Sequence, residues 1–476
     1  MTTIDLVALL PITMLAVTPL VLLLTISAVR HHARVAGISV TGLLAALAGL
    51  PAAAALAPRD VTPLLHIDAF GLGYVALAIT IAICVIAIGY PYVARRESNP
   101  EEYYVLVVIS TAGASAMALS THFVSFYLGL EILSVAQYGL MAYFRRDRCG
   151  TEAGMKYLVL AAASAAFLLF GMALVYAEIG TMTFAGMVAA SSNQMSNSVV
   201  LLGVAMMCAS IGFKLAIVPF HYWTPDIYDG APLSVVAFAS TAGKLGVFAV
   251  LVRYFVAPLS PISEALVPFV AVTAVASMVL GNVMALVQTG LKRLMAYSSI
   301  AHMGYVSVAF LAYGAVAAQT VTFYLLGYVA ASLAIFGVMM ALSAASKSDV
   351  DRIDDYRGLL RAHPVLGAVL VTGLLSLAGI PLTAGFFGKL YVVLAGAQEG
   401  HWPVLLVLAL SSVAGAWYYL RIVIAVCAAP TADSRPVPTA AIPALSTALL
   451  AVLAGLIVVF GIWPAPVVTL VQALHR

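Results

Sequence analysis

Between Asp5 and Arg30 lie 24 consecutive residues without a charge, most of them Leu, Val, Ala, Ile, Thr and Pro. About 20 apolar residues in a helix span the hydrocarbon core of a bilayer, and a stretch this long has few other stable destinations. The pattern recurs to the end of the chain. Runs lie near 6–29, 35–57, 67–94, 103–120, 122–144, 153–178, 197–220, 232–256, 262–288, 291–313, 316–344, 364–398, 402–428 and 440–463. Their apolar residues are continuous rather than alternating, which excludes barrel strands. Only 41 of 476 residues are charged, 22 basic and 19 acidic. Several soluble domains of this total length would carry roughly a quarter charged residues. The chain therefore reads as an all-α polytopic membrane protein of about fourteen transmembrane helices joined by short loops.

The first run follows Asp5 rather than a basic segment, and Arg30, His31, His32 and Arg34 come after it. It is thus no cleaved signal peptide, and its start faces outside. Alternating from there, the inside loops hold Arg30, Arg34, Arg95, Arg96, Arg145, Arg146, Arg148, Lys292, Arg293, Lys347, Arg352, Arg357, Arg361 and Arg435. The outside segments hold Arg59, Arg253 and Arg476. Fourteen against three is a positive-inside bias, and it predicts an even number of spans with both termini outside. Residues 346–363 are the longest charged connection, expected as a solvated inside helix or a docking surface for a soluble partner. Residues 179–196 read as a small-residue outside loop. The cysteines at 84, 149, 208 and 427 are not spaced for a metal, a cluster or disulfides. No nucleotide-binding glycine motif is present. No cofactor or metal is expected on this chain, and any redox chemistry belongs to another.

Four ionisable residues fall deep within spans: Glu131, Lys214, Lys244 and Lys389. A charge at the bilayer centre costs at least ~2.5–3.5 kcal/mol. One acid can neutralise at most one of three lysines, so an ionic lock between helices does not account for all four. Lysines held where charge is expensive are suited to exchanging protons, and a file of them is what a proton path requires. Arg421 lies about two turns from the inner end of its span and is expected to snorkel. His302, in Tyr-Ser-Ser-Ile-Ala-His-Met-Gly-Tyr, either relays protons or bonds a neighbour. His221, just after Pro219, either packs and caps or takes part in transfer.

Two spans are interrupted. The seventh carries Pro219 near Lys214, followed by Pro225, Gly230 and Pro232; the twelfth carries Gly379 and Pro381 near Lys389. Proline frees a carbonyl, which is tolerated at membrane depth only where protein or water satisfies it. Each broken span is fourth in a run of five, spans four to eight and nine to thirteen. Five is odd, so the second run enters inverted, and paired broken helices in inverted repeats point to an ion path. The organisation expected is a three-helix segment (1–102), a first repeat (103–256), a second repeat (257–428) and a final helix (429–476).

The stretch Lys214-Leu-Ala-Ile-Val-Pro-Phe-His-Tyr-Trp-Thr-Pro-Asp-Ile-Tyr-Asp-Gly-Ala-Pro232, with Tyr297-Ser-Ser-Ile-Ala-His-Met-Gly-Tyr305, resembles the antiporter-like subunits of respiratory complex I and of Mrp antiporters. The span pattern extends the resemblance over essentially the whole chain. Within that family it looks most like the N-subunit group of NADH-quinone oxidoreductase, the counterpart of mitochondrial subunit two. Lys389 stands where the M group is expected to carry Glu, and the long lateral helix of the L group is not expected after span fourteen. The resemblance implies a proton-translocating subunit of a translocase, with Glu131 tuning Lys214 of the input half-channel, Lys244 central and Lys389 passing protons outward. NADH, FMN, iron–sulfur clusters and quinone are implied on partner subunits, and the partners are other membrane subunits and a soluble redox arm. A pair such as Glu131–Lys214 at ~4 Å and dielectric 20 is coupled by ~4 kcal/mol, enough to switch a lysine between loaded and unloaded. A Mrp-type Na+/H+ antiporter or hydrogenase-like complex is the alternative, and a structural scaffold the second.

Overall fold

A computed structural model describes residues 2–190, 197–255, 261–312, 314–346, 348–430 and 442–475. Lys347, Arg435, Arg476 and residues 191–196 of the expected outside loop lie outside these. In chain order come helices α1 (Thr3–Ala8), α2 (Leu10–Ala28) and α3 (His32–Ala54), then an antiparallel hairpin of β1 (Arg59–Thr62) and β2 (Leu65–Ile67). There follow α4 (Ala69–Arg96), α5 (Glu101–Ala118), α6 (Phe123–Met141), α7 (Arg148–Ile179), α8 (Phe184–Val188), α9 (Ser198–Leu215), α10 (Trp223–Gly230), α11 (Leu233–Ser240) and α12 (Ala242–Phe255). The remainder is α13 (Pro261–Leu286), α14 (Leu291–Val308), α15 (Gly314–Ala344), α16 (Leu359–Ala362), α17 (Pro364–Ala378), α18 (Ala384–Gln398), α19 (Trp402–Cys427), α20 (Ala444–Ile462) and α21 (Ala465–Leu474). Among the described residues, twelve helices are long and apolar enough to cross a membrane, with α11 and α12 counted as one.

Helices that are apolar on every side belong in the centre of a bundle. α11, α12, α14 and α15 are nearly all buried, whereas α2, α3, α7 and α20 leave most of their surface outward. Lys244 and His302 fall on this central group, whereas Glu131, Lys214 and Lys389 lie on α6, α9 and α18.

Loop contacts sort into two faces. On the hairpin face, Arg59 pairs with Asp5 at 2.6 Å, Leu65 bridges to Ser120, and His122 bridges to Thr183. Asp68 caps α4 through the Gly71 amide at 2.8 Å and takes both guanidinium nitrogens of Arg253, at 2.7 and 2.9 Å. His475, past α21, bonds Thr322 at 3.0 Å and packs on Phe70, so both ends of the described chain share this face. The opposite, more basic face joins Arg30 to Glu102, Arg293 to Asp226, and Arg96 and Lys292 to Asp349.

Packing partners repeat along the chain. α5 lies along α6 as α13 lies along α14, α7 along α9 as α15 along α17 and α18, and α12 against α5 as α19 against α13. Gly113 and Gly129 let α5 and α6 approach backbone to backbone, and Gly281 and Gly304 do the same for α13 and α14. Small residues permit such contact in membranes, where no hydrophobic force drives helices together.

Three expectations change. Span eight is also broken: α11 stops at Ser240, Thr241 takes φ −116° and ψ −89°, and α12 restarts at Ala242. The described part of that connection, residues 348–363, forms no single solvated helix but a packed strap, with a 3-10 turn at Ile353–Tyr356, the four-residue α16, and Tyr356 fully buried. Its Asp351 anchors the strap to the amide of Lys292 at 2.6 Å. Lys292 itself, expected in a solvated loop, is buried in the first turn of α14. Its ammonium donates to the Ala231 carbonyl at 2.9 Å and to Asp349 at 3.2 Å, which satisfies a charge that would otherwise be stranded.

Candidate functional site

The three deep lysines are all buried, with exposures of 5% for Lys214, 2% for Lys244 and 9% for Lys389, and each stands at a break in its helix. α9 ends one residue after Lys214, where Ala216 adopts a left-handed φ of +61°. The chain then crosses Pro219 before α10. The carbonyl of Phe213 is taken by the Trp223 indole N–H at 2.8 Å, and the amide of Val218 by Ser277 at 2.9 Å. The interruption is thereby satisfied by protein, as the low-polarity surroundings demand.

The Lys214 ammonium donates to Ser134 Oγ at 3.0 Å, Gln137 Oε1 at 3.3 Å and Tyr157 OH at 3.0 Å. Tyr157 in turn donates to Gln137 at 2.9 Å. Glu131 is one turn before Ser134 on the same helix, half-buried, and its Oε1 has no hydrogen-bond partner among the described residues. The expected Glu131–Lys214 ion pair is therefore not formed. Ser134 and Gln137 hold the ammonium instead, and Glu131 acts on it only through space.

Gln137 is shared. Its Nε2 is buried and unbonded, and a Cβ built on Gly243 would meet that nitrogen at 2.8 Å. The amide thus spans from the Lys214 cluster to the residue next to Lys244. Lys244, two residues past the start of α12, donates to Ser299 Oγ at 2.6 Å, and Ser299 bonds Tyr328 OH at 2.9 Å.

Beyond Tyr328 lies a cavity of about 10 Å³ lined by His302, Tyr324, Tyr328, Ser376, Gly385 and Lys389. That is close to the space one water molecule's centre needs. His302 bridges Tyr324 at 2.6 Å and Tyr419 at 3.1 Å, and Tyr419 continues to Ser298. Lys389 donates back across its break to the Ala378 carbonyl, the last of α17, at 2.9 Å, and to Ser412 at 3.0 Å. Lys214 and Lys389 therefore both occupy the negative end of a half-helix, where the aligned peptide dipoles favour a cation. Gly379, at φ +83°, ends α17, and any side chain there would strike Lys389 Cδ at 2.9 Å.

The remaining candidates separate. His221 is buried with its ring tilted against Tyr222, and among the described residues no hydrogen bond joins it to the lysine file. Arg421 reaches the carbonyls of Leu286, the last residue of α13, and of Gln288 just beyond it. Ser134, Gln137, Tyr157, Ser299 and Tyr328 were not singled out from sequence. For the first two a signal existed, since Glu131, Ser134 and Gln137 recur every three residues along one side of α6.

These features define a class: a polytopic helical membrane protein whose broken helices carry three buried lysines among buried hydroxyl groups. Residues 120–415 match the family model described as NADH:quinone oxidoreductase/Mrp antiporter, transmembrane. A chain in the structure of respiratory complex I from Thermus thermophilus is 32% identical, with 96% of this chain and 98% of that one covered and a TM-score of 0.83. A chain of the membrane-bound sulfane sulfur reductase, an archaeal respiratory membrane complex, is 24% identical over 99% of this chain and 97% of that one, with a TM-score of 0.87. A chain of the Mrp complex from Dietzia sp. is 20% identical over 100% and 97%, also at 0.87. The last two are likenesses of fold. The chain belongs to the NADH:quinone oxidoreductase/Mrp antiporter transmembrane family.

Proposed function

We propose that this chain is the proton-translocating membrane subunit of a respiratory NADH-quinone oxidoreductase in a bacterial inner membrane, with the hairpin face outside. NADH, FMN, iron–sulfur clusters and quinone would act on partner subunits, which supply the energy. The observation that carries the transport reading is the row of polar groups from Lys214 through Gln137, Lys244, Ser299 and Tyr328 to the cavity at Lys389. The complex I reading over an antiporter rests on the 32% identity to the Thermus complex I chain.

In this mechanism Glu131 and Lys214 alternate between a contact pair and a separated one. The present arrangement is the separated member, with Lys214 held by three neutral oxygens. Closing the pair to ~4 Å would bring the ~4 kcal/mol coupling estimated above and keep the proton on Lys214. Opening it releases that hold and lets the charge move toward Lys244. Ser299 and Tyr328 pass it on by rotating their hydroxyls, and Lys389 delivers it outward. His302 lies on a branch through Tyr324 and Tyr419 and tunes the last step.

The test is Lys244→Ala in the assembled complex, reconstituted in vesicles. Pumping should be lost, with coupled turnover falling alongside. Normal proton stoichiometry with intact assembly refutes the role. A scaffold would instead fail to assemble. An antiporter subunit would couple to a sodium gradient and not to NADH oxidation.

A further inference from the structure

A cavity of about 430 Å³ opens on the basic face between the strap and α19, and the proton path does not use it. One wall is Arg352, Asp354 and Arg357 of the strap. The other is a single stripe of α19, since Trp417, Leu420, Arg421 and Ile424 recur at i, i+3, i+4 and i+7. Trp417 and Ile424 are 69% and 68% exposed on a helix long enough and apolar enough to cross the membrane.

Charge in the cavity is unbalanced. Three guanidinium groups face one carboxylate, Asp354, and Arg357 already takes that acid at 3.1 Å. Arg352 is exposed and has no acid partner among the described residues. Arg421 spends two nitrogens on backbone carbonyls and leaves its Nε buried and unbonded. Guanidinium forks match phosphate oxygens, and basic pockets at the cytoplasmic boundary of membrane helices suit anionic headgroups.

We propose that this groove binds an anionic phospholipid, its phosphate between Arg352 and Arg357 under Arg421, and one acyl chain along Trp417 and Ile424. A cation above and hydrocarbon below in one continuous cavity require a ligand that is anionic at one end and apolar at the other. A soluble anion fits only the first half. An acidic protein segment would leave the Trp417 and Ile424 wall facing its backbone.

The full chain, purified in neutral detergent, would be titrated with phosphatidylglycerol or phosphatidylcholine and read by native mass spectrometry. Phosphatidylglycerol should be retained about tenfold or more over phosphatidylcholine. The preference should vanish in the double variant R352Q/R357Q, whose side chains lie at the surface, and persist in R34Q on the same face. Equal retention of both lipids, or an unchanged preference in the double variant, overturns the proposal. So does displacement by inorganic phosphate, which would mean that the acyl chain contributes nothing. A photo-crosslinker replacing Trp417 in native membranes should capture lipid, and capture of a protein overturns the assignment.

Discussion

Ser299 is the narrowest point of the proposed path. Its Oγ receives the Lys244 ammonium at 2.6 Å and meets Tyr328 at 2.9 Å, so one atom joins the central lysine to the outer half. Ser299→Ala removes that atom and almost no volume. A hydrogen bond to a charged group is worth about 1.5–3 kcal/mol. If the loss falls on the transfer step, with each 1.36 kcal/mol a factor of ten, passage slows roughly 10- to 150-fold. The assay is NADH-driven acidification of vesicles carrying the whole complex, with quinone reduction measured in parallel and assembly checked by subunit content. Ser299→Thr is the rescue, because it keeps the hydroxyl at an overpacking cost of about 1–3 kcal/mol. Pumping should collapse in the Ala variant and return substantially in the Thr variant. An Ala variant that pumps at the normal rate and ratio would show that protons do not pass this atom.

Gly379→Ala should lower the melting temperature of the detergent-solubilised chain and impair pumping. A left-handed alanine costs about 1–2 kcal/mol, and the new methyl group displaces Lys389. Asp349→Asn removes the ion-pair partner of buried Lys292, at about 3–5 kcal/mol, and should appear as a fall in thermal stability and yield. Burial, opposed in part by nearby Asp68, holds the His475 imidazole down to about 4 from its ordinary 6.5. The docked state therefore favours the neutral ring, so the contribution is complete above pH 6.5 and declines as pH falls toward 4. Protease cleavage near α21 should accelerate over that window in the native chain, and not in His475→Phe.

Hydropathy located the deep charges because a charged residue in an apolar run is conspicuous regardless of its partners. Lys292 escaped notice for the converse reason. It sits beside Arg293 in a stretch that looks solvated, and its burial is created by Asp349, 57 residues away in the sequence. The hydroxyls of the path were hidden differently. Many Ser and Thr in these helices, such as Thr18, Ser39, Thr111 and Ser307, simply bond a carbonyl one turn back. Residue type alone does not separate those from Ser134 or Ser299, which face another helix. Pro219 and Pro381 announced two breaks in advance, but Thr241 breaks the third without proline. Its hydroxyl bonds the Ala237 carbonyl at 2.6 Å, and no one-dimensional marker accompanies that turn. The family resemblance pairs Glu131 with Lys214, whereas the fold places Ser134 and Gln137 at the ammonium.

Gln137 has a consequence of its own. Hydroxyl groups can hand a proton onward by releasing one hydrogen as they accept another, but a carboxamide does not titrate and cannot. In the proposed path the link between Lys214 and Lys244 would therefore be an insulator set among conductors. In the proposed mechanism it would block a passive leak down the proton gradient at rest, and current would flow only while a displacement of that amide admits water. The gate would then be neutral, which makes it immune to the membrane voltage that it has to withstand.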